Sequence, residues 1–302
     1  MNKPRMLMLI GLPASGKSTF AKKMSETAGY VWHSSDAIRE ELHLDPMNPA
    51  DNEKVFLELH RRIKRDLKEG RDVIYDATNL VRKRRMAFIK ELDGICCKIS
   101  CAMMLETVEE CMERNRKRKD RVPDSTYGKF LKSFDPPIYF EGFHDITVYY
   151  FDDPQPIDLS LAEGFDQKNS HHTMTLSEHM RKAYEYVLQK DPENDLVLEA
   201  AKYHDFGKLF TQTFMDRKGN ETNEAHYYGH EHYGSYLYLL YAISQGMNQE
   251  RALYIAGLID LHMRPLNAWK SSFKAELKDR EMIGEKMFSD LRLLNEADLS
   301  AH

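Results

Sequence analysis

Met6-Leu7-Met8-Leu9-Ile10-Gly11-Leu12-Pro13-Ala14-Ser15-Gly16-Lys17-Ser18 reads as an apolar strand, a glycine loop and the start of a helix, and that order decides the first half of the chain. Glycines let backbone N–H groups curl around phosphate oxygens, and the positive end of a helix starting at Lys17 adds to the attraction. Lys17 is then placed to bridge terminal phosphates, and the Ser18 hydroxyl to ligate Mg²⁺ beside ATP.

Working outward, apolar β-prone runs recur at Tyr30–His33, Val73–Tyr75, Cys97–Met104 and Ile146–Phe151 with amphipathic stretches between them. Strands alternating with helices predict a parallel sheet covered on both faces. The pattern breaks at Phe151-Asp152-Asp153-Pro154-Gln155-Pro156 and stays interrupted through Asn169. The expected domains are therefore 1–152, a linker at 153–169, and 170–302. From Thr175 the pattern is helical almost throughout, with helices expected at 175–190, 194–204, 226–246, 248–263 and 281–300 and no competing strand pattern.

The first 151 residues hold 27 Lys and Arg against 23 Asp and Glu, the remainder 16 against 25. A polyanion partner thus suits the first half better. The apolar run that ends at Ile10 is too short for a signal segment or a membrane span, so a soluble chain is expected. Cys96, Cys97, Cys101 and Cys111 show neither metal-finger nor disulfide spacing, which favours a reducing cytoplasm and core thiols.

Ser35-Asp36-Ala37-Ile38-Arg39 follows the second strand. Asp36 and Arg39, three apart, share a helix face at the carboxyl edge of the sheet, where such sheets bind ligands. An Asp there can accept a hydroxyl proton and an Arg can clamp a phosphate. Ser35 or Asp36 also suits a helix N-cap, so this segment alone leaves both readings open. Glu113-Arg114-Asn115-Arg116-Lys117-Arg118-Lys119-Asp120-Arg121 is either a solvated helix end or a lid over a transferring phosphoryl group.

Together these residues resemble the P-loop kinase module of the polynucleotide 5'-hydroxyl kinase family, over residues 6 to about 150. Gly11, Pro13, Ser15, Gly16, Lys17, Ser18 and Thr19 match its nucleotide loop, with Ala14 inside it. The resemblance implies Asp36 as general base, Arg39 on the acceptor strand, and Arg114 and Arg118 in the lid, with Arg118 on the donor's phosphates. Thr78-Asn79-Leu80 followed by Arg84-Arg85 is similar to the third-strand segment. One departure stands out: the family's Asp directly precedes Thr-Asn, whereas here Ala77 does and Asp76 lies one place earlier.

Nine of the 13 histidines lie in the second half, a concentration on a helical frame that suggests metal ligation. Adjacent His204-Asp205 diverge around a helix and can embrace an ion only at a helix end or in a cluster of helices, and Gly207 supplies such an end. Residues 171–302 resemble the HD-domain metal-dependent phosphohydrolases, an all-helical family. The resemblance implies the ligands His179, His204, Asp205, His230, His262 and Asp298. His171 or His172 are rivals for the first place, His226 or His232 for the third and Asp260 for the last. It further implies one ion, or, with His230 and His262, two bridged by Asp205, and Lys208 balancing charge in the transition state. Nitrogen-rich ligation suits Mn, Fe, Co, Ni or Zn.

The resemblances imply an α/β P-loop NTPase domain followed by an all-α HD domain, in an enzyme that heals nucleic-acid ends. It would phosphorylate a 5'-hydroxyl and remove a 3'-phosphate or 2',3'-cyclic phosphate, on RNA before DNA, with a ligase as partner and no membrane. A small-molecule or nucleoside kinase fused to a nucleotide phosphohydrolase, or a nucleotide-sensing regulator, are the alternatives.

Overall fold

The computed structural model describes residues 3–45, 48–118, 121–153, 155–169 and 174–301. The chain packs as two compact units, Met1–Phe130 with Pro137–Asp152, and Leu131–Pro136 with Asp153–His302.

In the first unit β1 (Arg5–Ile10) is the middle strand of a five-stranded parallel sheet with β2 (Val31–Ser34), β3 (Val73–Asp76), β4 (Lys98–Met104) and β5 (Asp145–Tyr149), in the order β2-β3-β1-β4-β5. Met6, Met8, Leu9 and Ile10 are fully buried, which is why this strand is written as an unbroken apolar run rather than an alternating one. Helices α1 (Lys17–Ala28), α2 (Ser35–Glu41), α3 (Asn52–Lys68), α4 (Arg82–Glu91), α5 (Val108–Arg116) and α6 (Ser125–Leu131) connect the strands. The five expected strands are all present, with ends shifted by one or two residues. Cys101 and Cys111 are buried thiols as expected, but Cys96 is exposed.

Behind the sheet edge, Arg85 and Glu141 are both fully buried and joined by two hydrogen bonds of 2.7 Å. Arg85 also donates to the carbonyls of Asn79 and Leu80, each at 3.0 Å, and so holds the turn that follows β3. Removing one partner of a buried ion pair strands the other charge. Arg85→Leu is expected to destabilise the first unit by about 3–5 kcal/mol, read as a lower urea midpoint in Trp32 fluorescence.

The second unit contains α7 (Leu176–Lys190), α8 (Asp195–Tyr203), the short α9 (Lys208–Thr211), α10 (His230–Ser244), α11 (Gln249–Leu261) and α12 (Phe273–Ser300). Several expectations are corrected here, among them the start of the last helix, at Phe273 rather than 281. An antiparallel hairpin, β6 (Thr213–Met215) and β7 (Glu221–His226), occupies a stretch read as free of strands, and α10 begins at His230 rather than 226. The expected linker is partly core: Ala162 is buried with Leu176, Met180 and Phe206, and Ile157, Leu159 and Phe165 pack on them. Residues Leu131–Pro136 also belong to this unit, where the Phe134 ring meets Tyr236 edge-on at 5.0 Å. Among the described residues no helix is long and apolar enough to cross a membrane.

Candidate phosphate loop and candidate metal centre

In the first unit the loop leaves β1 at Gly11, whose N–H donates to the Thr78 carbonyl at 3.1 Å. A Cβ on Gly11 would lie 2.6 Å from the Met104 carbonyl oxygen and from Ser15 Oγ, so only glycine fits. Ala14 (φ 63°) and Gly16 (φ 94°) are left-handed, the backbone of an anion-binding concavity. Pro13 is pinned through its carbonyl by the Tyr127 hydroxyl at 3.2 Å. Ser15 Oγ is buried with no hydrogen-bond partner among the described residues, and Lys17 Nζ, also buried, donates to the Leu12 carbonyl at 2.6 Å. Burial lowers the Lys17 pKa while Asp76 pulls it back up. An orphaned hydroxyl and a buried ammonium in a left-handed loop fit a polyphosphate.

Asp76 ends β3 and is buried. One of its oxygens, Oδ2, accepts from Ser18 Oγ at 2.9 Å and from Trp32 Nε1 at 3.1 Å. Burial raises its pKa, opposed by Lys17 and by these two donors. A hydroxyl and a carboxylate side by side are the hard oxygen ligands that Mg²⁺ takes. The sequence puts Asp76 at the end of the third strand, on the same sheet edge, with its role open; the structure sets it against Ser18. Thr19 is exposed in the first turn of α1.

The N-cap of α2 is Ser34, whose hydroxyl accepts from the N–H groups of Asp36 and Ala37; neither Ser35 nor Asp36 fills that place. The Asp36 carboxylate is left 75% exposed, 3.6 Å from Arg118 Nη2. Arg39 is engaged within the chain, donating to the carbonyls of Asp45 and Asn48 and to Asn52 Oδ1. Arg114 is held by Glu106 at 2.8 Å and Glu110 at 2.7 Å. Of the expected lid residues Lys119 and Asp120 lie outside the described residues.

In the second unit, five helices or their ends bring the six expected ligands together. His179 (α7), His204 (after α8), Asp205 and Asp298 (α12) form one group of donor atoms, and Asp205, His230 (α10) and His262 (after α11) a second, all buried, each group within 4.8 Å. Asp205 divides its oxygens: Oδ2 lies 3.1 Å from His179 Nε2 and 3.5 Å from His204 Nε2, while Oδ1 lies 3.1 Å from His230 Nε2 and 3.6 Å from His262 Nε2. Asp298 Oδ1 completes the first group at 3.0 Å from His179 Nε2.

The opposite ring nitrogens fix the tautomers. His204, His230 and His262 face the carbonyl three residues back, Ala201, Tyr227 and Ile259, at 2.9, 2.8 and 2.6 Å, and His179 faces the Ala301 carbonyl at 3.2 Å. A carbonyl only accepts, so each Nδ1 carries a proton and Nε2 is the nitrogen turned inward; burial opposes a second proton there, but Asp205 and Asp298 outweigh it, raising the His179 pKa to about 9 and that of His262 above its usual value. The inward nitrogens lie in pairs, His179–His204 at 3.3 Å and His230–His262 at 3.2 Å. Four imidazole nitrogens converging on two carboxylates form a donor set for a cation that takes the place of protons, with the carbonyls as outer supports.

Lys208 Nζ, buried, sits 2.7 Å from Asp205 Oδ2 and donates to Gln167 Oε1 at 2.9 Å. Gly207 does not end α8, whose C-cap is His204, but stands at the N-cap of α9; a Cβ there would lie 2.1 Å from the His230 carbonyl oxygen, so its lack of a side chain lets the His204–Lys208 turn touch α10. Two rivals, His232 and Asp260, pair with each other at 2.7 Å and form a separate group with Asp135. His226 stacks on Tyr228 with ring centroids 5.3 Å apart. His171 and His172 lie outside the described residues, as does His302.

Residues 6–137 match a family described as an AAA domain. That stretch is less than half of the chain. A chain of the Pnkp1/Rnl/Hen1 RNA repair complex is 27% identical, over 44% of this chain and 44% of that one, with a TM-score of 0.38. A gluconokinase from Sinorhizobium meliloti is 17% identical, over 49% and 83%, TM-score 0.36. A fungal RNA kinase is 12% identical, over 67% and 49%, TM-score 0.38. The chain thus spans under half the length of the repair-complex chain it resembles.

Proposed function

We propose that this chain heals broken nucleic-acid ends, RNA first among them, with the first unit acting as an ATP-dependent 5'-hydroxyl kinase and the second as an HD-type phosphohydrolase of 3'-phosphate or 2',3'-cyclic phosphate ends. One observation carries the reading: each of two compact units holds its own constellation for phosphate chemistry, one built to cradle a polyphosphate and one to hold cations.

In the first unit Lys17 would neutralise the terminal phosphates of ATP, and Ser18 and Asp76 would hold the Mg²⁺ that accompanies it. The Asp36 carboxylate takes the proton of the attacking 5'-hydroxyl as its oxygen bonds to the γ-phosphorus; the bond from that phosphorus to the β–γ bridging oxygen breaks and ADP leaves. Arg118, 3.6 Å from Asp36, reaches the transferring group from the lid side. In the second unit His179, His204, Asp205 and Asp298 would hold one Mn, Fe, Co, Ni or Zn ion and Asp205, His230 and His262 another. When bound, such ions supply Lewis acidity toward a phosphoryl oxygen and toward water. Lys208 keeps Asp205 ionised and oriented. Ribonuclease cleavage leaves a 5'-hydroxyl beside a 2',3'-cyclic phosphate, so the two activities together yield ends that a ligase can join.

The test incubates the protein with ATP, a divalent metal and an oligonucleotide bearing a 5'-hydroxyl and a 3'-phosphate, with both ends read by mass. Gain of phosphate at the 5' end and loss at the 3' end is the expected result. Strand phosphorylation should also weaken steeply with salt, since counterions compete for the acceptor. Turnover of free nucleosides or nucleotides alone, insensitive to salt and with both ends unchanged, would overturn the reading.

A further inference from the structure

The protein has two tryptophans, in opposite situations. Trp269 is 8% exposed and packed on Phe288 with ring centroids 4.9 Å apart. Trp32 is 37% exposed and stacks on no other ring among the described residues. It lies on β2, the edge strand of the sheet, two residues before the Ser34 cap of α2. A large ring left open at an edge costs apolar hydration that burial would recover. Its indole N–H is nonetheless fixed, at 3.1 Å from the Asp76 oxygen that also accepts from Ser18. The ring is therefore tethered beside the phosphate loop, on the strand that leads into Asp36.

We propose that Trp32 is the platform on which the 5'-terminal nucleobase of the acceptor strand stacks, a role that rests on the kinase reading above and names what the acceptor site recognises. Nucleobases all present a π-face, so a single aromatic platform grips any terminal base with little sequence preference. The N–H tether to Asp76 fixes the ring relative to Ser18 and the loop, and so sets where a stacked nucleoside places its 5'-oxygen. A sugar lacking the base would lose this grip and keep only its phosphate contacts.

The experiment compares two single-stranded oligonucleotides that differ only in whether the 5'-terminal sugar carries its base. Initial rates of 5'-phosphorylation are measured for the wild-type protein, Trp32→Phe and Trp32→Leu. Both variants lose the N–H tether, so any shared fall in kcat reports Asp76; only Trp32→Leu loses the ring. The wild type is expected to show a KM about 5- to 100-fold lower for the base-bearing strand, the range of one base–aromatic stack. Trp32→Phe should keep most of that preference and Trp32→Leu should abolish it. In parallel, titration with the base-bearing strand should quench fluorescence in the wild type but not in Trp32→Phe, which retains Trp269. Equal KM for both strands in the wild type, or a preference that survives in Trp32→Leu, overturns the assignment while leaving the kinase standing. Phosphorylation of neither strand by the wild type sinks the kinase reading and this one with it.

Discussion

Asp205→Ala is expected to strip the second unit of bound metal and reduce its phosphatase activity by at least about 1,000-fold, since Lewis-acid assistance is worth several kcal/mol and each 1.4 kcal/mol is a factor of ten. The size follows from the geometry: Asp205 is the one residue common to both donor groups, with one oxygen toward each histidine pair. Losing any single histidine leaves one group whole, whereas losing Asp205 breaks both. The substitution also deprives the buried Lys208 ammonium of its carboxylate partner at 2.7 Å. Asp205→Asn keeps the volume and removes the charge, so a parallel loss of metal in that variant separates ligation from packing. The checks are metal content by mass spectrometry, 3'-phosphate release, and 5'-phosphorylation, which should persist because the first unit keeps its own residues. Full metal stoichiometry in Asp205→Ala would contradict the ligand set.

What the sequence disclosed, and what it hid, follows from how local each signal was. The phosphate loop is contiguous, and its glycines are required by backbone geometry, so Gly11 and Gly16 could be read directly. The parallel sheet was legible because its central strands β1 and β3 are buried almost throughout and written as apolar runs. Among the histidines, His204, His230 and His262 each lean on a carbonyl three residues back, a local device, but only the fold shows that their inward nitrogens converge. His179 takes its carbonyl from Ala301, 122 residues away, which no spacing foretells. The β6–β7 hairpin escaped notice because most of Thr213–Met215 and Glu221–His226 is exposed or half-buried, so no alternation of apolar and polar residues marks it. The stretch around Ala162 read as a linker because its prolines and acids mask a few apolar anchors. Asp76 was set aside because it stands one place from the family's position. Yet it is Asp76, and not Ala77, that meets Ser18.

Asp36→Asn should lower kcat for 5'-phosphorylation by about 100- to 10,000-fold, the span of a positioned general base, while ATP still binds. Asparagine has the shape of aspartate but cannot accept the proton of the attacking hydroxyl. The carboxylate begins α2 just beyond the Ser34 cap and is largely exposed, so its replacement disturbs neither core nor cap. Lys17, Ser18 and Asp76 form the nucleotide-holding set without it, through contacts of 2.6 Å to Leu12 and 2.9 Å between Ser18 and Asp76. Affinity for ATP, measured by calorimetry, should therefore change by less than about threefold, as for an exposed substitution away from the binding contacts. Asp36 also faces Arg118 at 3.6 Å, and an exposed pair of this kind is worth little, so freeing the arginine cannot account for a loss of this size. Arg118→Ala separates the two roles: a lid arginine stabilises transition-state charge, so if Asp36 acts as the base the double variant should lose rate beyond Arg118→Ala alone. An Asp36→Asn protein with wild-type kcat would remove the base assignment, and one that no longer bound ATP would move Asp36 into the nucleotide site.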